Sequence, residues 1–592
     1  MKIMRTFYVL IVTLLIVNIT MAQNLDIEPV DNSSYKGKAM FGYQGWFGHP
    51  DDYSPRPHYW HWGNMDRVGI TSLSIDMVPD MREYCADERY ETAYTYPNGE
   101  VVPVFSAGNR ATVKRHMKWV RDYNTDGVWV QRFISEYADR VVMAFRDSTT
   151  VFVKEGCEEY GRVFAIMYDG IAGRVNNIKK DWMHLVDNLE LTDSESYLNH
   201  NNRPIVALWG YTVRDDAPVE ELEELIEFFH NNEDSKYRAS IKLGVNDNFW
   251  KKGTRWSEAL AQVEVISPWS VGRYGNQGGY NNYEKSQLIP GKAWCEQRGI
   301  LYVPVVFPGF GWYNLRNGNS PLNQIPRDGG NFFWLQAYGA VKNNVESVYF
   351  AMLDEVDEST AFFKTAENSS MSPAQENWLN LDADGYDLPS DWYLRCAGQA
   401  AEMLRGNFDL TSNLGTPHEG IMTILPGIDD CKVTFVFPDH KDVSVLEISV
   451  DGAESFPYSV ASDAGVFEIS DLPIGIYDIY VRDTYSVGDP VAMGKVCISS
   501  ECIGTSVNDI MGNSEFGNIK VYPNPTSSKI NIEGLNGMYQ VEIFNMDGSK
   551  CKSFNFNGPK TIIDVSDLPN ALYLLSVKGE TESYTQKINK TE

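Results

Sequence analysis

Two segments decide the fold: GVWVQRF at residues 127–133 and VFAIMYD at residues 163–169. Both are nearly continuous apolar runs that are rich in valine, isoleucine and aromatic residues. Strands that are buried on both faces have this composition, and parallel sheets contain such strands. The two segments therefore predict a parallel sheet that is covered on both sides.

Six further segments share this composition. They are MFGYQGWF (40–47), PIVALWG (204–210), SIKLGV (240–245), VEVISPW (263–269), LYVPVVF (301–307) and SVYFAML (347–353). Helical patterns follow most of the strands, as in ATVKRHMKWVRDYN, PVEELEELIEFFHNN and SDWYLRCAGQAAEMLRG. Eight such units predict an α/β fold, a closed (β/α)8 barrel of the TIM type, with an open doubly wound sheet as the alternative. This count treats TSLSIDMVPDM (71–81) as part of a long first loop.

The chain has 592 residues, which is too long for one core, and its character changes after Gly406. Short alternating runs at 418–500 predict a small antiparallel β-sandwich, and a polar stretch at 501–517 indicates a linker. A second small all-β module follows at 518–592. The N-terminal MKIMRTFYVLIVTLLIVNITMAQ has a basic start, a short apolar run and small residues. It predicts a signal peptide at 1–22, which leaves 23–410 for the barrel.

Charge and composition exclude several classes of partner. The formal net charge of −29 argues against binding to nucleic acid or to an anionic membrane. No run after the N-terminal segment is apolar and long enough to span a bilayer. The eight cysteines form no C-x-x-C pair, so we predict no zinc site and no cofactor, and the sequence leaves disulfide pairing open. DADGYD (382–387) suits a polar turn better than a calcium loop, because Tyr393 occupies the place of the twelfth-position glutamate.

Four carboxylates directly follow the eighth predicted strand, in the sequence DEVDEST (354–360). Active sites of TIM-type barrels lie at the carboxyl ends of the strands. Glycoside hydrolysis usually needs two carboxyl groups, and a spacing of three residues on a turn places Glu355 and Glu358 on one side. The alternative is an ordinary solvated loop.

The other strands also end in aromatic or hydrogen-bonding residues. A cleft lined in this way suits carbohydrate, although each residue could instead be barrel packing. The candidate substrate-binding residues at these ends are Tyr43, Trp46, Gln131, Arg132, Asp169, Trp209, Trp269, Arg273 and Trp312.

The segment HYWHWGNMD (58–66) adds His58 and His61 to the candidate substrate-binding residues. The segment lacks the H-E-x-x-H pattern, so we predict a substrate-facing loop and no metal. Packing of the loop is the alternative.

The final module resembles the type A C-terminal sorting domain of the type IX secretion system, a secretion signal of Bacteroidota. The resemblance rests on YPNPTSSKINI, IFNMDG and LPNALYLLSV in this order. It implies the type IX secretion machinery as a partner and export to the cell surface or the medium.

Residues 36–406 resemble the glycoside hydrolase family 71/99-like proteins, barrel proteins related to the family 99 endo-α-mannosidases. The motifs that carry the resemblance are FGYQGWFGHPDD, HYWHW, IDMVPDMREY, DGVWVQRF, MYDG, SPWSVGRYGN and LPSDWYLRCAG. By resemblance, Glu355 is a base that acts on the 2-hydroxyl of the sugar, which attacks the anomeric carbon. Glu358 is the acid that protonates the leaving oxygen and then activates water, so configuration is retained.

The motif departs from the N-E-W-H-E-G-T pattern of family 99. Asp354, Val356, Asp357 and Ser359 stand in place of its Asn, Trp, His and Gly. The resemblance implies a secreted glycoside hydrolase that acts on an α-mannan, an α-glucan or another polysaccharide. A carbohydrate-binding surface protein without turnover is one alternative, and an adhesion or scaffold protein that works through its sandwich is another.

Overall fold

The computed structural model describes the barrel region almost completely and the C-terminal modules mainly through their strands. The described residues are 29–52, 54, 59–63, 73–210, 218–374, 377–415, 423–426, 433–436, 445–451, 455–461, 466–469, 472, 475–483, 491–498, 520–522, 526–533, 538–545, 550–558, 560–569, 571–578 and 583–590. The predicted signal peptide, the predicted linker and His58 lie outside these residues.

A parallel sheet forms the centre of the first part of the chain. Its strands are β1 (Ala39–Tyr43), β4 (Gly127–Phe133), β5 (Val163–Asp169), β7 (Arg203–Trp209), β8 (Ser240–Val245), β9 (Val265–Pro268), β10 (Leu301–Tyr302), β11 (Val305–Val306) and β12 (Val348–Phe350). Their order is β10-β9-β8-β7-β5-β4-β1-β12-β11, and the short β6 (Asn199–His200) pairs with β7 off this path. Nearly all residues of these strands are buried, as expected for strands covered on both faces.

The sheet closes on itself through one broken strand. The ends of the path, β10 and β11, are two halves of the segment 301–306, separated only by Val303 and Pro304. Val303 N donates to Ile266 O of β9 at 2.9 Å, and Pro304 O accepts from Tyr349 N of β12 at 3.0 Å. The segment 301–306 therefore pairs with both β9 and β12 and closes a ring of eight strand positions. This closure confirms the predicted (β/α)8 barrel.

Helices follow the strands and cover the barrel. They are α1 (Arg110–Asp122), α2 (Arg140–Tyr160), α3 (Val175–Asp187), α4 (Val219–Asn231), α5 (Thr254–Leu260), α6 (Gln277–Tyr283), α7 (Ile289–Glu296), α8 (Asn331–Lys342) and α9 (Trp392–Arg405). Side-chain caps fix some starts: Asn109 accepts from Ala111 N at α1, and Asp139 accepts from Val141 N at α2. None of the described helices combines the length and the apolar character that crossing a membrane requires.

The first loop runs from β1 to α1 and contains the hairpin β2 (Tyr90–Thr95) and β3 (Val101–Val104). Its described residues 73–81 pair with no strand of the barrel, as predicted. They lie instead along the loop after β12, where Asp76 N and Met77 N donate to Val356 O at 3.1 and 3.2 Å. The first loop therefore supports the segment that carries the four carboxylates.

In the described residues after 415, the regular elements are β-strands, as predicted. A three-stranded sheet, β13-β14-β17, and a four-stranded sheet, β16-β15-β18-β19, are antiparallel. The strands are β13 (Thr423–Pro426), β14 (Val433–Val436), β15 (Val445–Ser449), β16 (Tyr458–Ala461), β17 (Val466–Ile469), β18 (Gly475–Asp483) and β19 (Val491–Ile498). The division between a barrel domain ending at 410 and a sandwich domain beginning at 418 stays a prediction.

A separate compact unit begins at residue 500. It has the antiparallel sheets β20-β21-β24 and β23-β22-β25-β26 around a small aliphatic core. Its strands are β20 (Lys520–Tyr522), β21 (Lys529–Glu533), β22 (Met538–Asn545), β23 (Lys550–Asn557), β24 (Lys560–Asp564), β25 (Leu572–Lys578) and β26 (Ser583–Asn589).

Candidate active site

The loop after β12 is held against the end of β1 by Asp354. This buried carboxylate accepts hydrogen bonds from Gln44 N and Gly45 N, both at 2.8 Å. Burial raises its pKa to about 7, while the two backbone donors favour its ionised form. Asp354 therefore fixes the path of the loop, and both of its oxygens are already occupied.

Glu355 is the most enclosed of the two predicted catalytic residues. Its Oε1 accepts from Gln44 Nε2 at 2.6 Å, and its Oε2 accepts from Thr360 Oγ1 at 2.7 Å. Burial raises the pKa of Glu355 well above its usual range, and repulsion from Glu358 and Asp357 raises it further. Its two hydrogen bonds act in the opposite direction, since both stabilise the carboxylate.

Asp357 and Glu358 complete a group of like charges. Burial raises the pKa of Asp357 to about 7. Burial and the neighbouring Asp357 raise the pKa of Glu358 to about 7, although the positive charge of Arg316 acts to lower it. The structure therefore brings Glu355 and Glu358 into one electrostatic group, in which each carboxylate raises the pKa of its neighbours.

Asp76 connects three loops at this end of the barrel. Its carboxylate accepts from Tyr313 N and Asn314 N of the seventh loop, both at 2.7 Å. Gly311 N of that loop donates to Glu358 O at 3.1 Å. Burial raises the pKa of Asp76 to about 6, and Asp357 adds repulsion. The first, seventh and eighth loops are thus joined around the two glutamates.

A stack of three rings lies beside the acidic group. Trp46 is parallel to His61, with 3.7 Å between ring centroids, and to Phe133, with 5.4 Å. His61 Nδ1 is 3.6 Å from Asp357 Oδ2. The predicted residues Trp46 and His61 are therefore brought together with the carboxylates.

Other predicted residues lie at the same end of the barrel interior. Trp209 contacts Trp269, with centroids 5.8 Å apart, and Trp269 contacts Tyr349 at 5.9 Å. Burial raises the pKa of the half-buried Asp169 to about 6. Gln131 is buried, and its Oε1 has no hydrogen-bond partner among the described residues.

Two predicted residues from the seventh and sixth loops have local partners. Arg316 lies over the ring of Trp312 at 4.3 Å and also acts on Glu358, which places Trp312 near the glutamates. Arg273 is more exposed and lies 3.6 Å from Asp247.

Tyr43 and Arg132 contact helices instead. Tyr43 Oη lies 2.9 Å from His116 Nδ1 of α1. Arg132 forms two hydrogen bonds with Asp181 of α3, at 2.7 and 2.9 Å, and one with Asp147 of α2 at 2.9 Å. Asp354 adds to burial in raising the pKa of Tyr43, so the hydroxyl group of Tyr43 lies near the acidic loop. The guanidinium group of Arg132 is directed to the two helices.

Reasoning from sequence missed two contributors, Asp76 and Thr360. Gln44 directly follows the first strand, and that position alone predicts a side chain at this end of the barrel. Asp76 and Thr360 gave no such signal, because each is defined by contacts between distant loops. Cys157, Cys295 and Cys396 are buried and form no disulfide with another described residue. Asp384 of the DADGYD segment accepts hydrogen bonds from Asn323 Nδ2 and Asp328 N.

Comparison with known proteins identifies the last module. Residues 520–591 match the family model of the secretion system C-terminal sorting domain. This confirms the sorting domain predicted from the sequence and indicates export by the type IX system to the cell surface or the extracellular space. No curated protein matches the chain.

Several solved structures are similar to the barrel region. The GH99 endo-α-mannosidase of Bacteroides thetaiotaomicron is 13% identical, with 63% of this chain and 99% of that chain covered at a TM-score of 0.45. A glycoside hydrolase-like protein is 13% identical, with coverages of 59% and 99% at 0.38. An endo-β-1,4-mannanase double mutant of Cellulomonas fimi is 14% identical, with coverages of 64% and 88% at 0.29. Values this low assign no residue roles, so the function has to be argued from the chain itself.

Proposed function

We propose that this protein is an exported glycoside hydrolase in which Glu355 and Glu358 perform the acid–base chemistry. The observation that carries the proposal is the enclosed pair itself. Both glutamates lie at the carboxyl end of the barrel, and burial raises the pKa of both. Glu358, with a pKa of about 7, can donate a proton and then accept one near neutral pH during cleavage of a glycosidic bond.

The surroundings support different roles for the two groups. Glu355 is fixed by hydrogen bonds from Gln44 and Thr360, which suits a base that must be aimed at one hydroxyl group. Glu358, with a pKa of about 7, can hold a proton for the leaving oxygen and then take one from water. Attack by the 2-hydroxyl of the sugar would give retention of configuration.

Aromatic rings complete the proposed site. Trp209, Trp269 and Trp312 are only partly buried, so they can offer apolar surface to the C–H faces of sugars. The unpaired oxygen of Gln131 can accept a hydrogen bond from a sugar hydroxyl. These features suit a carbohydrate, and the resemblance of the sequence to the family 71/99-like proteins favours an α-mannoside or α-glucan type of polysaccharide or glycan as the substrate. The signal peptide at 1–22 belongs to the same proposal of export.

The test is hydrolysis of a glycan panel by the full chain and by the variants Glu355→Gln and Glu358→Gln. We expect each variant to lose about 100-fold or more in kcat/KM while it keeps its thermal unfolding midpoint. Glu346→Gln is a matched control, since Glu346 is exposed and 3.4 Å from Lys36. Full activity of either active-site variant would reject the assignment.

A carbohydrate-binding protein without turnover is the second candidate. The raised pKa of Glu355 favours it, because a protonated Glu355 cannot act as a base. In that case the panel would show glycan binding at every pH tested and release of no oligosaccharide.

A further inference from the structure

The candidate active site contains more carboxyl groups than cations. Asp354, Glu355, Asp357 and Glu358 belong to one loop, and Asp76 adds a fifth carboxyl group from the first loop. Among the described residues, the cationic or protonatable side chains that act on this group include Arg316, His61 and Arg146.

These cations balance the carboxyl groups only in part. Arg146 is already paired with Glu136, at 3.0 Å. His61 lies 3.6 Å from Asp357, beyond the length of a hydrogen bond. A neutral ligand would leave the raised pKa values of these carboxyl groups in place, whereas a cationic ligand would stabilise their ionised forms.

Two buried oxygen atoms in this group lack partners. The side chains of Asp357 and Gln44 are 2% and 4% exposed, yet Asp357 Oδ1 and Gln44 Oε1 have no hydrogen-bond partner in the described parts of the chain. Gln44 donates through Nε2 to Glu355, so its free oxygen belongs to the same cluster. Both free atoms are acceptors, and buried acceptors without donors are costly.

We propose that the substrate of this site is a glycan with free amino groups, and that a protonated sugar amine binds at Asp357. An ammonium group supplies three donors and a positive charge, whereas a hydroxyl supplies one donor and no charge. This inference rests on the proposed function. The amine belongs to a sugar next to the one that reacts, because the reacting sugar uses its own 2-hydroxyl.

Binding of such an amine has a consequence that neutral sugars do not share. Burial and mutual repulsion favour the protonated carboxyl groups in the free protein. A bound cation favours the ionised groups, so the protein releases protons as the amine binds. Proton release therefore reports the proposed contact without any need for turnover.

Calorimetry on the full chain at pH 6, where the sugar amine is already protonated and takes up no proton on binding, tests the proposal. The probes are the methyl α-glycosides of glucosamine, galactosamine and mannosamine, each beside its N-acetyl and 2-hydroxy counterparts. We expect at least one amine to bind about tenfold tighter than both counterparts. Titrations in two buffers of different ionisation enthalpy should show release of about one proton with the amine and none with the 2-hydroxy sugar.

Asp357→Asn should remove the tenfold preference for the amine over its 2-hydroxy counterpart. Asp382→Asn, in an exposed turn, is the matched control and should keep the preference. Equal binding of amine and 2-hydroxy sugars by the unsubstituted protein, or binding of the amine without proton release, would overturn the proposal. Both results are obtained without the Asp357→Asn variant, so they hold even if that variant does not fold. These titrations measure binding alone, so a negative result rejects only the amine-binding proposal. The proposed glycoside hydrolase function is rejected by a different result, namely full hydrolytic activity of Glu355→Gln or Glu358→Gln.

Discussion

We expect Lys242→Met to stabilise the barrel below pH 7 and to lose this advantage as the pH rises toward 10.5. Lys242 lies on β8 and is 1% exposed. Its Nζ is 4.6 Å from the ring centroid of Tyr349 and 5.0 Å from that of Trp129. Burial lowers its pKa from 10.5 to about 7, so the folded barrel disfavours the charged amine.

The size of the effect follows from these values. A pKa of about 7 in place of 10.5 corresponds to about 5 kcal/mol against folding when the amine is protonated. The two cation–π contacts, worth about 1 kcal/mol each, act against the burial of the charge, so the advantage of the variant below pH 7 should lie between about 3 and 5 kcal/mol. Between pH 7 and 10.5 the unfolded chain holds the proton that the folded chain releases, so the stability of the native protein rises with pH.

Denaturation by urea, followed by tryptophan fluorescence at pH 6, 8 and 10, measures this difference. All 15 tryptophans lie between residues 46 and 392, so the signal reports the barrel region and neither of the C-terminal β modules. Methionine fills a similar volume without a charge. The reasoning would be refuted if Lys242→Met raised the free energy of unfolding equally at pH 6 and pH 10, or lowered it at pH 6.

Two further substitutions test contacts of the barrel. Gln44→Ala removes a donor that favours ionised Glu355, so the pKa of Glu355 should rise further. The lower limb of the pH profile of kcat/KM should move to higher pH, with a loss of about tenfold or more at pH 6; an unchanged profile would contradict the role of Gln44. Asp181→Asn leaves the buried Arg132 without its main ion-pair partner and should lower the free energy of unfolding, measured by urea denaturation, by about 3–5 kcal/mol. A decrease below about 1 kcal/mol would show that the ion pair with Asp147 is sufficient to compensate the charge of Arg132.

Much of the barrel could be predicted because each strand is a local apolar run. The segments 127–133, 163–169 and 240–245 match their strands residue for residue. The break in the seventh strand was not predicted, although Pro304 was visible and proline lacks the N–H that a ladder requires. The break has a local cause, Pro304, and could therefore have been predicted from the sequence.

The candidate site could be predicted only in part. Glu355 and Glu358 were found because they follow a strand directly. Successive side chains of a strand point to opposite faces, so Arg132 of β4 could have been placed on the face toward the helices, opposite to Trp129 and Gln131. Asp76 could not be found, since its role depends on backbone N–H groups of residues 313 and 314. Periodicity carries no information about such contacts between distant loops.

The hydrogen bonds of Asp354 have a consequence for the folding kinetics of the chain. Gln44 and Asp354 are 310 positions apart in sequence, and they meet only when the last strand of the barrel pairs with the first. Contacts of such long range form slowly, because the chain loses much entropy before they are made. A refolding chain would regain its helices and much of its fluorescence before the acidic group exists. Recovery of activity would therefore mark the final closure of the ring of strands.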